Sequence, residues 1–401
     1  MEATLTKQPD ITPQEVYLQA QRELNNRSLF EFIRYFWPEI SNDPFKSNWH
    51  IEYLCKELEV VAERVAKGLP KKYDLIINVP PGTTKTITCS IMFPAWCWAS
   101  VDYTLRFITA SYSNPLSLES AEYSRDLIQS DLFKEMYPEL KISADKSAKG
   151  NFKVLKKEHV YKGRAPRLHP GGNRFSTSVG ATVTGFHGHI LIWDDLLNPE
   201  EALSEVQLET ANRWKDQTLS MRKVDKDVTA TIGIMQRLHQ NDPTGSSLEK
   251  KTVPTKHICL PGEIRNYREK VNPPELVEFY KDELLDPIRL SWPTLVKAEA
   301  ILGQYGYAGQ IGQDPTPPGG GMFKVDHFIT LNALPACVNF VQIVRYWDKA
   351  GSAGKGCFTV GVKMAKLQNG RFIIMDVVRG QWSSEDREAY CRGCILGFLP
   401  P

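Results

Sequence analysis

The sequence predicts an α/β protein whose core is a parallel sheet covered by helices on both faces. Three observations carry this. Short, β-branched, almost continuously apolar runs alternate with amphipathic stretches of helical period. The first such run leads into Pro80-Pro81-Gly82 and then Lys85-Thr86 ahead of another apolar helix. A later run ends in two adjacent acids, Asp194 and Asp195.

Taken in order, Leu29 to Trp37 spaces its aromatics at helical intervals, and a second amphipathic stretch runs from Trp49 to Lys67 until Gly68 and Pro70 stop it. Tyr73 to Val79 is the first strand, apolar enough to be buried on both faces. Ile87 to Val101 reads as a buried helix: interrupted by Pro94, it falls short of the roughly twenty residues that a bilayer span needs. Leu105 to Ala110 is a strand, Leu116 to Gln129 a helix, His189 to Trp193 a strand, Glu200 to Thr218 a helix and Val228 to Met235 a strand. Between Leu140 and His187 a Gly-, Lys- and Arg-rich region is expected to add strands and loops. From Pro254 to Pro318 the chain is polar, punctuated by Pro273-Pro274, Pro287, Pro293 and Pro317-Pro318, and closes on Gly319-Gly320-Gly321, the pattern of a domain junction. Beyond it, Val341 to Asp348, Cys357 to Ala365 and Arg371 to Val378 read as strands, the last two joined by a hairpin at Asn369-Gly370, with a helix from Ser383 to Leu396. The expected organisation is a domain over 1–255, a linker or subdomain over 256–321, and a second domain over 322–401.

The 401 residues suffice for two or three domains with cores of their own. Lys plus Arg number 49 against 47 Asp plus Glu, so nucleic-acid contact has to come from local basic patches rather than overall charge. The run Lys149, Lys153, Lys156, Lys157, Lys162, Arg164 and Arg167 is such a patch, with a solvated loop as the alternative. Eight cysteines are scattered without the clustering of a disulfide framework, which fits a reducing cytosol. Cys391 and Cys394 form a lone CxxC with no second pair at zinc-ribbon spacing. Met1 to Gln21 is polar and lacks a basic-then-apolar secretory pattern.

Strand, tight loop, Lys-Thr and helix is the context of a phosphate-binding loop. Amides of the loop, including Gly82, Thr83 and Thr84, and of the helix N-terminus face the phosphates of ATP. Lys85 neutralises the β and γ phosphates and the Thr86 hydroxyl ligates Mg²⁺. Val79 and Thr84 stand where the usual spacing asks for glycine. Thr84 is expected to be tolerated provided its backbone is not left-handed. At the second strand, Asp194 is the candidate for holding Mg²⁺, and Asp195 for orienting or activating the attacking water, with Glu200 and Glu201 as alternatives.

These motifs resemble those of the large terminase subunits of tailed bacteriophages, which couple ATP hydrolysis to DNA packaging. The divergent loop Pro80-Pro81…Lys85-Thr86, the strand ending in Asp194-Asp195, and Met235-Gln236-Arg237-Leu238-His239 followed by Asp242-Pro243-Thr244-Gly245 carry the likeness. The resemblance implies a P-loop ATPase fold of the ASCE type, γ-phosphate sensing by Gln236 and Arg237, and an adenine-side segment at Asn48-Trp49-His50, for which a core tryptophan is the alternative. It also implies a trans-acting arginine finger, with Arg125 the candidate and a solvated helix arginine the alternative.

In this family a metal-dependent RNase H-like nuclease follows, its carboxylates holding two Mg²⁺ or Mn²⁺ ions about 4 Å apart. Arg345-Tyr346-Trp347-Asp348 resembles its first strand, making Asp348 the first metal ligand and Asp376 a weaker candidate. The acids expected further on are absent, so a truncation, a split gene or an engineered boundary is expected, with nuclease activity poor or none. The implied partners are double-stranded DNA, a portal protein, a small terminase subunit and further copies in a ring, with no membrane, in the host-cell cytoplasm. A helicase-like nucleic-acid ATPase and a non-catalytic DNA-binding assembly protein with a decayed nucleotide site are the alternatives.

Overall fold

Eight strands of the first part of the chain are β1 (Asp74–Asn78), β2 (Phe107–Ser111), β3 (Leu140–Ala148), β4 (Asn151–Lys157), β5 (Leu168–Ser178), β6 (Ile190–Asp194), β7 (Ala230–Met235) and β8 (Thr255–Cys259). In the computed structural model they form one sheet in the order β3-β4-β5-β2-β6-β7-β1-β8. The six strands from β5 to β8 pair in parallel, and β4 and β3 extend the sheet by antiparallel pairing. The structure describes residues 12–148, 150–158, 167–250, 254–316, 328–333, 339–350 and 358–396. Two compact units divide the chain, Met1–Gly321 and Met322–Pro401.

Both faces of the parallel sheet are buried because neighbouring strand residues point to opposite sides. Leu75 and Ile77 join one hydrophobic cluster, whereas Ile76 joins the other. The first cluster takes in α1 (Pro13–Arg27), α2 (Leu29–Phe36) and α3 (Trp49–Ala66) on its helical side. Thr12 caps α1 through a reciprocal bond with Glu15, and Ser28 caps α2, so each start follows from a side chain that satisfies an orphan amide. After the loop that follows β1, the segments Ile87–Met92, Phe93–Trp96 and Cys97–Val101 form one buried rod, α4, that is π-helical on either side of a short α turn. Pro94 lies in that turn. It supplies no amide, and the wider π turns flank it. Next come α5 (Asn114–Gln129) and α6 (Asp131–Met136). The second cluster packs α7 (Glu205–Arg213), and α8 (Pro243–Leu248) follows β7. The helix expected from Glu200 begins instead at Glu205, because Ser204 is the residue that caps it.

The stretch 256–321, expected as a linker or subdomain, falls within the first unit. Thr255–Cys259 is the edge strand β8, paired with β1, and Leu260, Leu285, Leu290 and Leu295 are buried in the first cluster. Pro274 lies at the start of a 3₁₀ turn and Pro293 in the first turn of α9 (Trp292–Gln310), where no amide is needed, so proline density did not mean an unstructured connection.

The second unit has an antiparallel sheet in the order β11-β10-β9, from β9 (Phe340–Asp348), β10 (Thr359–Leu367) and β11 (Phe372–Gly380), followed by α10 (Ser384–Leu396). Gly370 closes the β10–β11 hairpin at φ +80°, a backbone that glycine adopts without strain. No helix among the described residues is long and apolar enough to cross a membrane.

Candidate nucleotide site

β1 lies between β7 and the edge strand β8, so its C-terminal end opens in the row of parallel strand ends where α/β proteins place ligands, beside the end of β7. The loop from Pro80 is tied down from within. Thr83 Oγ1 donates to the Pro80 carbonyl at 2.7 Å, and His50 Nε2 lies 3.2 Å from the Thr83 carbonyl. Gly82 and Thr84 are both left-handed, at φ +77° and +64°. The condition set for Thr84 is therefore not met: a β-branched residue holds the glycine conformation, at a cost on the order of 1–3 kcal/mol that the surrounding packing must offset. Left-handed residues two apart curl the loop so that its amides can line an anion-binding concavity at the start of α4.

The acids close the site from the neighbouring strand end. Asp194, the last residue of β6, accepts from Ser90 Oγ at 2.7 Å and from Thr86 Oγ1 at 3.2 Å, so its carboxylate is fixed by both the loop and α4. Asp195 turns left-handed at φ +47°; its amide donates to Ile234 and its carbonyl accepts from Tyr112, which pins the turn between β7 and β2. Lys85 Nζ stands 3.3 Å from Asp195 Oδ2 and also donates to Gln236 Oε1. Burial pushes the Asp195 carboxyl up to about 6, against the pull of Lys85, and burial raises Asp194 as well.

Asp195 Oδ1 is buried without a hydrogen-bond partner among the described residues. The Asp194 carboxylate and the Thr86 hydroxyl, 3.2 Å apart, are hard oxygen donors of the kind that Mg²⁺ accepts while keeping several waters, so the residues fit the ion, and the orphaned Asp195 oxygen is left to meet a water. No group of three or more His, Cys, Asp or Glu among the described residues is placed as a metal site. A cavity of about 330 Å³ opens beside Thr86, Ser90, Asp194 and Asp195 and is walled by Glu119 and Tyr123 of α5.

Of the other expected residues, Gln236 reaches the site through Lys85, and Arg237 does not. Arg237 Nε binds Asp242 at 2.9 and 3.2 Å, and its Nη2 donates to the His239 and Gln240 carbonyls. Asp242 is fully buried and also accepts from the amides of Leu238 and Gly245, so this arginine neutralises a loop-building acid instead of facing phosphate. His50 touches the loop, and burial lowers it to about 4, so it is neutral. Trp49 stacks on Phe279 at 5.3 Å. Arg125 stays on α5, bonded to Asp126 at 2.8 Å and 3.5 Å from Glu122. Glu201 is used locally, paired with the backbone and side chain of Asn198, and Glu200 is exposed.

Two buried polar residues were not singled out by sequence. Asn78, at the end of β1, donates to the Met235 carbonyl at 2.9 Å and to Thr244 Oγ1 at 3.0 Å while its Oδ1 lies 2.7 Å from His257 Nε2. Arg174 of β5 is fully buried; it donates to the Ser90 carbonyl, Ser124 and Ser120, and burial lowers it to about 9. A polar residue inside an otherwise apolar strand was the available signal for Asn78.

In the second unit Asp348 ends β9 opposite Val360, whereas Asp376 lies opposite Lys363. Val360 and Lys363 are three apart on β10 and point to opposite faces. Asp376 is therefore corrected as a co-ligand of Asp348: it sits on the other face of the sheet, paired with Arg345. Of the basic run, Lys153, Lys156 and Lys157 lie on β4 and Arg167 just before β5, while Lys149, Lys162 and Arg164 fall outside the described residues. Cys391 and Cys394 both lie on α10.

Neither a family model nor a curated protein sequence matches the chain. Among solved structures it is similar to a mutant of the large terminase ATPase domain of Thermus phage P74-26, with 9% identity over 70% of this chain and 98% of that one and a TM-score of 0.43. It is also similar to the large terminase of a thermophilic bacteriophage in complex with ATP-γ-S, with 13% identity, coverage of 86% and 74%, and a TM-score of 0.37. A third similarity is to Saccharomyces cerevisiae dbp5, with 10% identity, coverage of 57% and 51%, and a TM-score of 0.28.

Proposed function

We propose that the first unit is a P-loop ATPase and that the chain serves as the motor subunit of a viral DNA-packaging machine of the large-terminase type. The observation that carries the ATPase is the convergence of Lys85, Thr86, Asp194, Asp195 and Gln236, from three separate parts of the sequence, on one end of the parallel sheet. Lys85 meets the β and γ phosphates, Thr86 and Asp194 hold Mg²⁺, and Asp195, with a free oxygen and a raised affinity for protons, orients the attacking water and takes its proton. Bound magnesium supplies neutralisation of charge building on the phosphate oxygens. ATP entering the site draws Lys85 from Asp195, which frees the carboxylate for the water.

The motor part of the proposal rests on the terminase-like run Gln236 to Gly245. It brings with it double-stranded DNA as the substrate moved, a portal and a small subunit as partners, and a ring of copies in the infected cell. DNA cleavage would need further carboxylates on the Asp348 face of the sheet. The test is steady-state ATP hydrolysis with and without linear duplex DNA. Hydrolysis that rises with DNA supports the motor; hydrolysis indifferent to DNA leaves an ATPase and removes the motor; no hydrolysis removes both.

A further inference from the structure

Gln313 combines features that an ordinary connecting residue does not. It lies just past α9, is 2% exposed, and holds a left-handed backbone at φ +53° although it is not glycine. Both ends of its side chain are engaged: Oε1 accepts from the Arg237 amide at 3.0 Å, and Nε2 donates to the Gln310 carbonyl at 2.5 Å. Backbone strain at a buried polar residue persists only where the surroundings hold it in place, and such positions cluster at functional sites.

The object it holds is the start of the loop after β7. Arg237 follows Gln236 directly, and Gln236 is the residue whose side chain holds Lys85. The end of α9 grips the same loop at Arg237 and Leu238. Tyr305 Oη donates to the Leu238 carbonyl at 3.0 Å, and Gly309 comes so close that a Cβ there would lie 2.9 Å from the Arg237 carbonyl. The grip is itself anchored, because the Gly262 amide donates to the Ile311 carbonyl at 2.8 Å and Lys270 pairs with Asp314 at 2.9 Å.

We infer that Gln313, seconded by Tyr305, is a positioning residue for the nucleotide centre, fixing the backbone of Arg237 so that Gln236 stays in register with Lys85. This rests on the ATPase reading of the site. Removing the grip lets Gln236 drift, while the phosphate loop that binds the nucleotide is untouched.

The test compares Gln313→Gly, Gln313→Glu and Tyr305→Phe with wild type in the full chain, measuring kcat and KM for ATP, ADP affinity by calorimetry, and the thermal midpoint. Gln313→Gly suits the left-handed backbone and removes only the side chain. It is expected to lower kcat by about 10- to 100-fold, the scale of a misplacement near 1 Å, with ADP affinity within about twofold. Gln313→Glu keeps the acceptor for the Arg237 amide but loses the donor to the Gln310 carbonyl, and is expected to recover part of kcat. Tyr305→Phe is expected to lower kcat by a few-fold, and it carries the test if Gln313→Gly does not fold. Wild-type turnover in both Gln313→Gly and Tyr305→Phe overturns the inference. So does a joint loss of kcat and ADP affinity that Gln313→Glu fails to correct. A wild type that hydrolyses no ATP instead removes the ATPase reading on which the inference stands.

Discussion

Asp194 and Asp348 each close an apolar strand with a carboxylate, yet their surroundings differ. Around Asp194 and its neighbour Asp195 the parallel topology gathers the ends of β1, β6 and β7, so that a lysine, a threonine and a glutamine arrive from distant parts of the sequence. Around Asp348 the sheet is antiparallel, neighbouring strands run in opposite directions, and the nearest acid named by sequence faces the other way and is neutralised by Arg345. A strand-terminal acid becomes a site only when the topology brings it partners of the right chemistry.

Substitutions at the two places sharpen this contrast. Asp195→Asn is expected to lower kcat about 10²- to 10⁴-fold, the scale of a lost general base, in steady-state ATP hydrolysis. Because burial places Asp195 near 6, wild-type kcat/KM is expected to fall as pH drops below about 6, where the carboxyl gains its proton, and the residual activity of Asp195→Asn to lack that limb. A wild-type profile flat to pH 5 would break the assignment.

Next in size is the buried network under the loop. Asn78→Leu leaves the Thr244 hydroxyl and the His257 ring without their partner and should cost roughly 2–3 kcal/mol of stability in denaturant unfolding. His50 and His257 are both lowered to about 4 by burial, against about 6.5 when unfolded. Between those values the unfolded chain binds more protons, so their contribution is complete above pH 6.5 and is lost as pH falls toward 4, at up to about 1.4 kcal/mol per pH unit for each. The thermal midpoint should fall accordingly, and His257→Gln, which can still donate to Asn78, should flatten the fall. The smallest effect is expected in the second unit: Asp376→Asn breaks one ion pair, costs about 1 kcal/mol or less, and leaves ATP hydrolysis unchanged.

Much of the first unit could be read in advance because its signals are contiguous. A buried parallel strand is an unbroken apolar run, and Lys85-Thr86 and Asp194-Asp195 stand directly at the ends of such runs. Gln236 was accessible only through resemblance, since nothing local marks a glutamine after a strand. Arg174 and Gln313 were not legible, because a buried polar residue is defined by partners distant in sequence. The Pro-rich stretch from Pro254 left linker and subdomain both open for a different reason: proline marks linkers, 3₁₀ turns and helix starts alike, and only the hydrophobic residues between the prolines, such as Leu260 and Leu285, tell them apart. Thr84 shows the reverse, a position where packing overrides the preference of its residue for extended backbone.

The most direct test is ATP hydrolysis by three purified forms of the full chain: wild type, Lys85→Ala and Asp348→Ala. Turnover by the wild type, a loss on the order of 10²-fold or more in Lys85→Ala, and unchanged turnover in Asp348→Ala would place the nucleotide chemistry at the parallel-sheet site and nowhere else. Equal rates in wild type and Lys85→Ala, or no hydrolysis by the wild type, would contradict it.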